Sequence, residues 1–92
     1  MQTVRDGIKF PSKKQAQYYD ELQMKVKAGF VLFFLMEVPI RLPGNVKYRI
    51  DFVEFHADGT VQFVEVKGRR TPLYILKRKQ VEALYPIKII EK

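Results

Sequence analysis

Apolar residues recur at two different periods along this chain. Ala16, Tyr19, Leu22 and Val26 return every three or four positions, the spacing of one helix face. Ser12 stands ahead of them as an N-cap with Gln15 three residues later, a capping box, and Gly29 suits the left-handed residue that closes a helix, so a helix is expected through about Lys27. Phe30 to Leu42 is instead rich in β-branched and aromatic residues, with Pro39 hinting at an edge or a bend, and Leu42-Pro43-Gly44-Asn45 is a turn cluster. Lys47 to Phe55 and Val61 to Lys67 predict two more strands, joined as a hairpin across His56-Ala57-Asp58-Gly59-Thr60. After the polar break Gly68-Arg69-Arg70, Thr71 as N-cap and Pro72 at the first helical position open a second helix, which the Tyr85-Pro86 step ends. Ile87 to Ile90 reads as a last short strand. The expected order is helix, three strands, helix, strand, an α/β arrangement.

Length limits what this order can build. With 92 residues there is room for one core, so residues 1–92 are expected to form one domain. The longest apolar run, Gly29 to Met36, falls short of a membrane span, and a soluble chain without a membrane partner is expected. The absence of cysteine removes disulfides and thiolate metal sites and is compatible with a reducing cytoplasm; any metal must be held by oxygen or by the single His56. The net charge of +7 calls for an anionic partner, of which nucleic acid is the commonest for a small basic domain. The charge is uneven. Six basic against three acidic residues occupy positions 1–28 and seven against two occupy 68–92, whereas the middle carries four against five.

The candidate chemistry sits in that carboxylate-bearing middle. Alternation along the second hairpin strand puts Val61, Phe63, Glu65 and Lys67 on one face. If the loop is a type I turn over Ala57 and Asp58 followed by a left-handed Gly59, paired positions sum to 116 and Asp51 lies opposite Glu65; a two-residue turn would instead pair Asp51 with Val66. In the first register Asp51, Glu65 and Lys67 are expected to converge on one face, where a divalent cation would relieve the repulsion between carboxylates. Oxygen donors without thiolate suit Mg²⁺ or Mn²⁺, and Lys67 is placed to orient water or to stabilise charge developing at phosphorus. The same spacing also describes an ordinary amphipathic hairpin with a cross-strand salt-bridge set.

The run Y-R-I-D-F-V-E-F-H-A-D-G-T-V-Q-F-V-E-V-K-G resembles the signature of the PD-(D/E)xK nuclease superfamily, in which Asp on one strand precedes E-x-K on the next. The whole chain is similar to a small phage and prophage family of that superfamily akin to Holliday junction resolvases, through V-R-D-G-I-K-F-P-S-K-K-Q-A, the hairpin, G-x-x-T, L-K-R-K and Y-P-I-K-I-I. The resemblance implies a restriction-endonuclease-like αβββαβ core, a mixed β-sheet flanked by two helices. It also implies a Mg²⁺- or Mn²⁺-dependent structure-selective endodeoxyribonuclease, acting on branched DNA as a homodimer in the cytoplasm of a bacterial host. By position it makes Asp51, Glu65 and the Val66 carbonyl metal ligands and Lys67 the catalytic lysine. The first-helix glutamate usual in S-K-x-E-A is here Gln15, which brings no charge and takes no proton at neutral pH. Arg69, Arg70, Lys77, Arg78 and Lys79 after the site strand, with Lys13 and Lys14 on the first helix, are the expected phosphate contacts. A DNA-binding module of the same fold, its catalysis weakened at Gln15, is the alternative, and a scaffold with a merely structural charge set is a third possibility. His56 reads as a turn residue; Glu37, near a strand end, could approach the metal site, though a surface pair with an arginine is the better reading.

Overall fold

The computed structural model describes residues 2–66 and 70–92. Helix α1 (Lys13–Ala28) starts where the capping box places it: the Ser12 hydroxyl accepts the Gln15 N–H at 3.1 Å. It ends on Gly29 at φ 85°, with the Gly29 and Phe30 amides turned back to the Val26 and Lys25 carbonyls. Helix α2 (Pro72–Leu84) has Thr71 as its N-cap, the hydroxyl accepting the Tyr74 N–H at 3.1 Å, with proline in its first turn.

Between and after the helices run β3 (Val31–Leu42), β4 (Val46–His56), β5 (Val61–Glu65) and β6 (Ile89–Glu91), in the sheet order β3-β4-β5-β6. The first three pair antiparallel and β6 joins β5 parallel, so the sheet is mixed. With α1 and α2 this is the αβββαβ core that the sequence predicts. The final strand starts at Ile89 rather than Ile87, because Ile87 turns its N–H to the Tyr85 carbonyl at the end of α2. Ahead of α1 there is also a hairpin absent from the expected order: β1 (Thr3–Arg5) and β2 (Ile8–Phe10) pair antiparallel across Asp6 and Gly7, both at positive φ.

Two apolar layers cover the sheet. Tyr18, Tyr19, Leu22 and Ala16 of α1 pack with Phe52, Val64, Val66 and Phe10 on one side. Val81 of α2 packs with Tyr48, Ile50, Val53 and Ile89 on the other. Ile50 and Val53 are three residues apart in one strand, and they share a layer only because the strict alternation breaks between them. The break falls at Asp51. Across from it in β3, Met36 joins the α1 layer and Val38 the α2 layer, with Glu37 between them at φ 52°. Among the described residues no helix is long and apolar enough to cross a membrane.

Candidate active site at the parting of β4 and β5

The hairpin register follows the three-residue loop. Phe52 pairs Val64 and Phe55 pairs Val61, both summing to 116, while the His56 N–H reaches the Thr60 carbonyl at 2.9 Å and Gly59 sits at φ 90°. Asp58 stiffens this loop by accepting the Thr60 N–H and hydroxyl at 2.9 and 2.6 Å, bonds that hold its carboxyl below the ordinary range. The described ladder stops at Phe52 and Val64, one step before Asp51 and Glu65. There a side chain takes over from the main chain: the Asp51 carboxylate accepts the Val66 N–H at 2.9 Å.

Asp51 is 8% exposed and lines a cavity of about 50 Å³ on the α1 side together with Gln15, Glu37, Lys9, Phe10 and Phe52. Thus Gln15, Asp51 and the main chain at Val66, three positions of the resemblance, meet at one corner. Glu37, for which the sequence left open both an approach to the site and a surface pair with an arginine, borders the same cavity with its exposed side chain. The left-handed backbone at Glu37, uncommon for a residue other than glycine, carries it there.

Glu65 goes elsewhere. It is fully buried, its neighbours Val64 and Val66 face α1, and its own carboxylate lies beside Tyr48 and Tyr74 in the α2 layer. Burial, reinforced by the Glu65 charge, pushes the Tyr48 hydroxyl far above the usual tyrosine range. Tyr74 is pushed up to about 12, by burial first, then by Glu91 and Glu65. Parallel pairing sets Glu91 beside Glu65, and Glu91 takes Arg78 at 2.8 Å and Arg70 at 3.2 Å. The expected convergence of Asp51 and Glu65 on one face is therefore corrected. The register is right, but the broken alternation at Asp51 sends the two carboxylates into opposite layers.

Lys67 and Arg69 lie outside the described residues. Of the expected phosphate contacts, Lys13, Lys14 and Lys79 are exposed and Lys77 half-buried, whereas Arg70 and Arg78 are held by Glu91. The donors on the α1-side cavity, two carboxylates and an amide oxygen, are of the hard kind that Mg²⁺ and Mn²⁺ prefer. Among the described residues no group of three His, Cys, Asp or Glu side chains is gathered to hold an ion.

A family model described as a protein of unknown function, DUF1064, matches residues 2–90. The chain belongs to that family. No curated protein and no solved structure matches it. The family match runs from β1 into β6, so the cavity at Asp51, Glu65 with its two tyrosines and the N-terminal hairpin fall within the DUF1064 unit, and Glu91 lies one residue beyond it.

A third buried carboxylate was not singled out in the sequence. Glu54, 1% exposed in the α1 layer, accepts the Tyr18 hydroxyl and lies 3.0 Å from His56 Nε2. The turn histidine is thus a partner of a buried charge. Its spacing of two from Glu54 on one strand was the available signal.

Proposed function

We propose that this chain is a divalent-metal-dependent endodeoxyribonuclease of the PD-(D/E)xK type, hydrolysing DNA phosphodiesters, with branched DNA such as Holliday junctions as the substrate class and a homodimer as the working unit. The observation that supports it most directly is the corner where the Asp51 carboxylate, fixed by the Val66 N–H, meets Gln15 within an αβββαβ core. Asp51, Gln15, Glu37 and the Val66 carbonyl would hold Mg²⁺ or Mn²⁺, while Glu65, a ligand by the resemblance, stays in the opposite layer beside Tyr48 and Tyr74. When bound, such an ion supplies charge neutralisation at phosphorus and a more acidic water. The chain's own part is to fix Asp51 through a main-chain bond, to close the cavity with Phe10 and Phe52, and to offer Lys67 to the attacking water. The cytoplasm of a bacterial host, with a phage or prophage origin, is the setting that accompanies this reading.

A second reading is favoured by two observations. Glu65 is turned into the α2 layer and residue 15 is a glutamine, so a DNA-binding module with weak or lost hydrolysis fits the same fold. Cleavage of a four-way junction and of a linear duplex in Mg²⁺ and in Mn²⁺ separates the two. The nuclease reading expects metal-dependent nicking that Asp51→Asn and Lys67→Ala abolish and that Gln15→Glu raises by tenfold or more, on the order of one added charge-assisted ligand. DNA binding without cleavage by either the parent or Gln15→Glu would leave the binding module.

A further inference from the structure

The ribbon formed by β3 and β4 beyond Val38 and Ile50 carries cations where cross-strand chemistry disfavours them. Arg41 lies directly opposite Lys47, and Arg49 follows two residues on, so all three exposed cations share one face of a two-stranded ribbon. Like charges directly opposite each other destabilise a strand pair by an amount on the order of 0.2–1 kcal/mol. Beside them, where β5 has left β4, a groove of about 280 Å³ runs between the ribbon and the first turns of α2, lined by Lys47, Arg49 and Lys77 with Tyr48 and Tyr74. Among the described residues no carboxylate lines it. None of these three groove cations pairs with a carboxylate among the described residues, in contrast to Arg70 and Arg78, which Glu91 neutralises.

We infer that this ribbon and groove form a binding site for the sugar-phosphate backbone of DNA, with Lys47, Arg49 and Lys77 as the phosphate contacts and Arg41 adding to the field. The inference rests on the DNA partner of the proposed function and not on hydrolysis. It moves the principal contacts from Arg70 and Arg78 to β4 residues of a segment whose overall charge balance is acidic. A phosphate there relieves the Arg41–Lys47 repulsion, so binding also tightens the ribbon. The two tyrosines give the groove a rigid floor, their rings stacked with centroids 6.4 Å apart.

The test is the salt dependence of binding to a short labelled duplex, measured with the full chain in EDTA so that cleavage plays no part. Lys47→Ala/Arg49→Ala should flatten the slope of log K against log salt by about 1.8 and weaken binding roughly 50-fold at ~0.1 M salt, at about 0.9 of slope per phosphate contact. Lys27→Ala/Lys88→Ala removes the same charge from elsewhere on the surface and should change the slope much less. Melting temperatures check that both variants fold, and Lys47→Gln/Arg49→Gln replaces the alanine pair if that one does not. Equal losses in the two pairs would reduce the effect to net charge and overturn the site, as would unchanged binding by the ribbon variant. Retention on anionic vesicles without DNA binding would also overturn it. A parent that binds through the ribbon yet never cleaves in Mg²⁺ or Mn²⁺ would remove the hydrolase reading and leave the site standing.

Discussion

At the scale of single residues, the cost of burying charge decides what can be changed. Glu54 is held in the apolar interior by the Tyr18 hydroxyl on one oxygen and His56 on the other. Tyr18→Phe removes a hydrogen bond to a charged, desolvated group and is expected to cost ~1.5–3 kcal/mol, read from urea denaturation. Gln23→Ala serves as a comparison, because it removes only a bond to the Tyr19 hydroxyl in a part-buried place and should cost well under half as much. Neither role was legible in the sequence: the Glu54-Phe55-His56 run shows alternation but not which of the two faces is dry. Glu37 was legible only as one of two readings, since its position depends on a positive φ that no local sequence preference announces.

Turn chemistry governs the elements. Both hairpins that flank α1 and the site use Asp-Gly, at Asp6-Gly7 and at Asp58-Gly59, and the same signal therefore stood twice in the sequence. In the second case long apolar strands surround it; in the first, three-residue strands leave too little alternation to be recognised. Gly59→Ala isolates the contribution of backbone conformation, because a Cβ there would meet nothing within 4 Å while φ stays at +90°. A loss of ~1–2 kcal/mol is expected from the left-handed conformation alone. Calorimetry of the variant checks it, and a neutral result would mean that the loop relaxes to another turn and shifts the register that ends at Phe52 and Val64. Helix boundaries were the most legible feature, because Ser12, Gly29, Thr71 and Pro72 each act through one local hydrogen bond or one fixed dihedral.

For the whole molecule, the two layers divide the chemistry. The sequence supplied the order of core elements and the hairpin register, which depend on local spacing. It could not supply the layer in which each carboxylate lies, because the switch at Asp51 accompanies the left-handed backbone of Glu37 across from it in β3, which strict alternation does not foresee. The α2 layer, with Tyr48 and Tyr74 kept protonated beside Glu65 and Glu91, sets an alkaline limit. The unfolded chain releases phenolic protons near pH 10 whereas the folded chain retains them, so this contribution is intact below about pH 10 and declines as pH rises towards 12 and beyond. The urea midpoint should fall as pH rises from about 10 to about 12, and Tyr48→Phe should make that fall shallower. A midpoint flat across this range would show that the tyrosines ionise as freely in the folded chain as in the unfolded one.

The bond from the Val66 N–H to Asp51 also turns one amide into a gauge. Most strand amides are tied to carbonyls, whose electronic state hardly varies, but this proton is tied to an ionisable group at the candidate site. Its NMR shift and exchange rate therefore register whatever happens to that carboxylate. Magnesium titrated into the ¹⁵N-labelled chain should displace the Val66 resonance before any substrate is added, and Asp51→Asn should silence the response. Occupancy at the corner can thus be followed from the main chain, independently of whether the chain cuts DNA.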